Sequence, residues 1–150
     1  MGEWRMSLPK TIITKLDPQK LKDSFFDLPN RAKKKKWVLL WDKLTDSLYF
    51  VPKVIPRDNI LFSVTHELNV YVNVKSEING IFIENFSANF VKHNTDFREL
   101  PKALNKKVED DTYTPSDKNK SELYAKALEA SLIESIGDKS QLSYPEFLGA

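Results

Sequence analysis

Between Leu68 and Lys75 the chain alternates without a break. Leu68, Val70, Val72 and Val74 take every second place, and Asn69, Tyr71, Asn73 and Lys75 take the others. A period of two sends the two sets to opposite sides of an extended chain, so this stretch reads as a half-buried strand and not as a helix. A lone strand or hairpin is not stable in water, so its partners must lie nearby. They are easy to find between Lys36 and Phe90. WVLLW and SLYFV flank the turn-like DKLTD, a hairpin in which Asp side chains can bind backbone N–H groups. NILFSV precedes the alternating run, either as one long strand bulged near His66 or as a separate strand. INGIFIENF follows it, with Asn79-Gly80 as the turn signal. Pro52 and Pro56 mark a loop or an edge between them.

The flanks are helical. Asp17-Pro18 is a cap followed by proline at the first helical position. Leu21, Phe25 and Leu28 then form a stripe that Pro29 ends. Thr11 to Leu16 fits a short edge strand, and Phe86, Phe90 and Val91 a short helix. Residues 92–113 read as mostly irregular, with one helical turn at Lys102 to Asn105. Thr114 and Pro115 announce a last helix, with Tyr124, Leu128, Leu132 and Ile136 on one face and Gly137 as its stop. The expected fold is α+β: a small antiparallel β-sheet with an N-terminal helix and a C-terminal helix. Three segments follow: a basic segment 1–35 with a short helix, a sheet core 36–95, and an acidic linker, helix and tail over 96–150.

Composition narrows the function classes. The 150 residues include no cysteine, which excludes disulfides, thiolate metal sites and cysteine nucleophiles. No apolar run reaches the length of a membrane span, and the N-terminus lacks the apolar core of a signal peptide, so a cytoplasmic protein without membrane contact is expected. The net charge of +2 conceals a gradient. Residues 1–36 hold ten Lys/Arg against four Asp/Glu, and residues 96–150 hold eight against eleven. A basic head and an acidic tail suit different partners.

Motifs for chemistry are sparse. His66 and His93 are the only two histidines, and His66-Glu67 has no second His four residues on, so the zincin pattern fails. Asp42 and Asp46 form the best carboxylate pair for a cation or for acid–base work. A turn explains them more simply. With only four glycines and no phosphate-cradling motif, nucleotide binding is not indicated. No catalytic residue, metal ligand or cofactor is expected. Trp37 and Trp41 share their parity with Leu39, which marks a core face and not a base-stacking platform.

The run W-D-K-L-T-D-S-L-Y-F, the alternating strand and I-N-G-I-F-I-E-N-F resemble the small bacterial family known as domain of unknown function 2283. The matching positions are Asp42, Asp46, Leu48, Tyr49, Phe50, Gly80, Ile81, Ile83 and Glu84. The resemblance implies a compact antiparallel sheet with a following helix. It also implies an antitoxin-like, partner-binding role, because some family genes adjoin small toxin genes. It offers no catalytic residues. The chain departs from the pattern by an insert at Pro52 to His66 and by extensions at both ends.

Two functional expectations lead, ahead of a hydrolase or nuclease built around Asp42 and Asp46. The first is a non-enzymatic module that binds a protein partner, such as a basic small toxin, through Tyr124, Leu128, Leu132 and Ile136 and the tail beyond them. The second is a nucleic-acid-binding accessory protein that uses Arg31, Lys33, Lys34, Lys35 and Lys36, helped by Lys20 and Lys22. Edge strands leave room for a homo-oligomer.

Overall fold

The computed structural model describes residues 17–54 and 58–138. Asp17 caps the first helix, α1 (Pro18–Phe26), by accepting hydrogen bonds from Gln19 N at 2.9 Å and Lys20 N at 3.3 Å. Leu21 and Phe25 are buried on its inner side. The buried Ser24 hydroxyl accepts from Ile78 N at 2.9 Å, which ties the helix to the sheet. The helix ends before Pro29 as the sequence suggests, but the chain does not become a loop. A second helix, α2 (Leu28–Lys34), starts at once with Pro29 in its first turn.

Five strands follow: β1 (Val38–Asp42), β2 (Ser47–Val51), β3 (Ile60–Ser63), β4 (Leu68–Val72) and β5 (Ile78–Ile83). The run around His66 is therefore two strands. Their turn holds Val64 N against Leu68 O, and Thr65 Oγ1 accepts from Leu68 N. The Asn79-Gly80 turn does not form, because both residues lie inside β5. The chain reverses earlier, where Asn73 Oδ1 accepts from Lys75 N and Glu77 N and Ser76 takes a positive φ of 64°. Gly80 is glycine for a packing reason. A Cβ there would lie 2.8 Å from Val51 Cγ1 and 3.1 Å from the Tyr71 ring.

After β5 the chain makes a π-helical turn (Phe86–Phe90), a single α-turn α3 (Val91–His93), a 3₁₀ turn (Thr95–Phe97) and α4 (Leu100–Ala103). Within residues 92–113, expected to be mostly irregular, the chain forms β6 (Lys106–Glu109) and most of β7 (Thr112–Thr114). Every residue of β6 is exposed, so no apolar alternation announces it. The last helix, α5 (Lys118–Asp138), has Asp117 as its cap, three residues later than Thr114. Thr114 is instead a strand residue whose hydroxyl donates to Leu39 O at 2.7 Å. The helix also runs through Gly137 to Asp138.

The fold is α+β. The described strands form one antiparallel sheet in the order β3-β4-β5-β2-β1-β7-β6. Leu39, Trp41, Leu48, Phe50, Ile81, Ile83, Leu68 and Val70 line its core face, and Leu21, Phe25, Leu28, Leu128 and Leu132 from the helices join the same cluster. Each such fully buried Leu, Ile or Phe contributes about 1.5–3 kcal/mol. An aromatic chain continues from the sheet to α5 through Trp41, Phe86, Phe90, Phe97 and Tyr124, with successive centroids 5.7, 6.4, 5.3 and 6.5 Å apart. Residues from all three segments divided on charge thus share one core, and two strands of the acidic segment extend the central sheet. No helix among the described residues is long and apolar enough to cross a membrane.

Candidate functional site

The carboxylate pair has two separate structural roles. Asp42 Oδ1 accepts from Leu44 N at 3.0 Å and Thr45 N at 3.4 Å, which shapes the β1–β2 turn. Asp46 closes that turn with a positive φ of 52° but reaches much further. Its carboxylate accepts from Trp41 Nε1 at 3.0 Å, Ser87 N at 3.0 Å, Ser87 Oγ at 2.9 Å and Ala88 N at 3.0 Å. It is a clamp on the start of the π-helical turn. Burial by itself would raise its pKa, and the N–H groups of Ser87 and Ala88, with the Trp41 and Ser87 side chains, outweigh that and hold it below the usual carboxylate range. Such a group is a poor proton donor or acceptor near neutral pH.

The histidines stand apart from these carboxylates. His66 is exposed at the β3–β4 turn, and His93 Nε2 contacts Asn89 Oδ1 at 3.0 Å. Among the described residues no three His, Asp or Glu side chains converge as metal ligands. A cavity of about 460 Å³ lies between α4 and the start of α5, lined by Glu99, Lys102, Asn105, Asp117, Lys120 and Tyr124. Its Asp117 carboxylate already accepts from Asn119 N and Lys120 N.

The partner-binding stripe expected on the last helix faces inward. Leu128 is 1% exposed and Leu132 0%, both inside the core cluster. The Tyr124 ring is half-buried beside Phe97, and burial, then Glu99, pushes its hydroxyl pKa up. The side chain of Ile136 and the tail, residues 139–150, fall outside the described residues, as does the strand expected at Thr11 to Leu16. Leu128 and Leu132 pack against the chain's own helices and are not open to a partner. An amphipathic pattern records that a face is buried, but not against what.

The basic run divides as well. Arg31 is engaged, its Nη2 donating to Glu77 Oε2 at 2.7 Å. Lys33 and Lys34 lie on the last turn of α2, and Lys35 and Lys36 lie just after it. All four lysines are exposed and none forms an ion pair among the described residues. Lys20 is exposed on α1, and Lys22 is half-buried there.

The remaining feature is the face of the sheet turned away from the core. Register places Leu40 opposite Tyr49, Tyr49 opposite Phe82, and Phe82 opposite Asn69, in one row across four strands. Tyr49 and Phe82 stack with centroids 5.1 Å apart, and Tyr71 lies 6.5 Å from Phe82. The next row carries Val38, Val51, Gly80, Tyr71 and Leu61. Val51 and Tyr71 are buried yet stand outside the core cluster, and Val38, Leu40, Tyr49, Leu61 and Phe82 are half-buried. Burial pushes the Tyr49 hydroxyl pKa up; a hydrogen bond with Ser47 opposes this and the Asp42 charge reinforces it. The sheet thus has a second apolar face. Its signal was present in the sequence, since Tyr49, Tyr71 and Phe82 have the parity opposite to the core residues. A polar outer face is the usual expectation for an antiparallel sheet, and that expectation hid it.

No family model, no curated protein and no solved structure matches the chain.

Proposed function

We propose that this chain is a non-enzymatic module that binds a protein partner, with the outer face of the sheet as its binding surface. The observation behind this reading is the row of half-buried Leu40, Tyr49 and Phe82, apolar and aromatic on the side that the helical core does not use. Aromatic side chains offer large contact area at little entropic cost and are enriched in interface cores. An antitoxin-like role in the cytoplasm fits this reading. Capture on the wild-type protein, compared with Tyr49→Ser and Leu123→Ser variants, tests it. Leu123 is 62% exposed on α5 and serves as the control. A partner lost with Tyr49→Ser and kept with Leu123→Ser supports the outer face; the opposite pattern removes it.

The exposed lysines favour a second reading, contact with nucleic acid at Lys33, Lys34, Lys35 and Lys36, with Lys20 and Lys22 on α1. Four exposed lysines at the end of one helix can neutralise phosphates. Replacing the four with Glu should abolish a mobility shift of DNA or RNA at low salt. No shift with the wild-type protein ends this reading.

A further inference from the structure

One end of the outer face is acidic. Asp42 ends β1 on the same side as Leu40 and stands opposite Ser47. Glu84 follows Phe82 by two positions at the end of β5, next to Ser47 in the register of β2 and β5. Glu67 lies across from Glu84, whose N–H donates to Glu67 O at 3.0 Å. Strand alternation therefore sets Asp42, Glu84 and Glu67 in a row parallel to Leu40, Tyr49 and Phe82, one step along the strands. The charge of Asp42 acts on Tyr49, as a shared face requires. Neither Asp42, Glu84 nor Glu67 forms an ion pair among the described residues.

We infer that the partner of this face is a basic amphipathic polypeptide segment, its apolar side chains on Leu40, Tyr49 and Phe82 and its Lys or Arg side chains on Asp42, Glu84 and Glu67. The inference rests on the outer face being the binding surface. Charge decides between occupants. A phosphate backbone laid on these aromatics would meet the three carboxylates, so the face does not suit nucleic acid. An acidic or wholly apolar segment would leave the carboxylates unpaired. Long Lys and Arg stems can cover the aromatic rings while their charged heads reach the rim.

The test uses the full chain, isotope-labelled for amide NMR, and two synthetic amphipathic peptides with the same leucine face, one carrying lysines and the other glutamates. The lysine peptide should shift the amides of Leu40, Tyr49 and Phe82. Raised salt should weaken it, as should the paired Asp42→Asn and Glu84→Gln substitutions, by about five- to twentyfold at low salt. Asn keeps the acceptor that Leu44 N needs, so the turn survives. If both peptides bind these amides equally, or the paired substitutions change nothing, the basic-partner inference is wrong while the face remains a binding surface. If neither peptide perturbs these amides, or the shifts map elsewhere, the face reading falls with it.

Discussion

Replacing Asp46 by glycine separates two roles that this residue holds together. As a turn former, Asp46 only has to tolerate a φ of 52°, and glycine does that at least as well. As a clamp, it has to hold four donors: Trp41 Nε1, Ser87 N, Ser87 Oγ and Ala88 N. The Ser87 hydroxyl and the exposed Ala88 N–H can turn to water at little cost. Trp41 is 9% exposed and Ser87 is half-buried, so the indole and the Ser87 amide lose partners that water replaces poorly. A hydrogen bond to a charged group is worth about 1.5–3 kcal/mol, and two such bonds, discounted for a half-exposed carboxylate, give a loss of about 2–3 kcal/mol. For a chain of this size that corresponds to a fall in Tm of roughly 4–12 °C. Urea unfolding with an unchanged slope is the assay. The pH dependence adds a second check. The folded-state pKa of Asp46 is depressed, so its contribution is present above the unfolded-state value and is lost as pH falls through the folded one. The gap between wild type and Asp46→Gly should therefore narrow on acidification below about pH 4. An Asp46→Gly protein within about 0.5 kcal/mol of wild type at neutral pH would refute the clamp and leave only the turn.

Gly80→Ala should destabilise by about 1–2 kcal/mol, against the usual gain from replacing glycine in a strand, because its Cβ meets Val51 and Tyr71. Partial rescue by Val51→Ala in denaturant unfolding would confirm the contact, and a neutral Gly80→Ala would dismiss it. Asn73→Ala should cost about 1–2 kcal/mol and Arg31→Ala about 0.5 kcal/mol, since Asn73 holds three bonds of the β4–β5 turn while the Arg31–Glu77 pair is partly solvated. The Asn73 bond is also the first cause of the lowered Glu77 pKa, so equal losses from the two substitutions would overturn that ranking. Glu129 is 8% exposed on α5, and burial raises its pKa, with Lys126 only partly offsetting it. Glu129→Gln should therefore stabilise the protein at neutral pH by about 1 kcal/mol. The advantage should grow as pH rises from the unfolded glutamate value through the raised folded one, because only the unfolded state ionises freely there. A constant difference from pH 4 to 8 would contradict it.

The parts of this fold that could be read in the sequence are those in which burial against the chain's own core left a period. The sets Leu39–Trp41, Leu48–Phe50 and Leu68–Val70–Val72 did so for the strands, and Leu21–Phe25 for the first helix, with Leu28 opening the second. Where burial left no period, nothing could be read. Strand β6 is exposed throughout and is held by backbone hydrogen bonds to β7, which no side-chain pattern records. Local motifs misled when a longer-range contact took their residues. Asn79-Gly80 has the composition of a turn, but the crowding of Gly80 by Val51 and Tyr71 gives its glycine another cause. Asp46 has the spacing of a turn carboxylate, but its main partners are 41 and 42 residues further on.

The same reasoning governs the candidate site. A stripe such as Tyr124, Leu128 and Leu132 looks alike in sequence whether it meets α1 or another protein, and only the fold shows that Leu128 and Leu132 are already covered. The outer face gives the complementary case. Tyr49, Tyr71 and Phe82 alternate with core residues, so each of their strands is apolar on both sides, a pattern suited to a sheet with cover on both faces. The described helices cover one. The half-buried row Leu40, Tyr49 and Phe82, ended by three carboxylates without ion pairs among the described residues, is what the proposed amphipathic cation would complement.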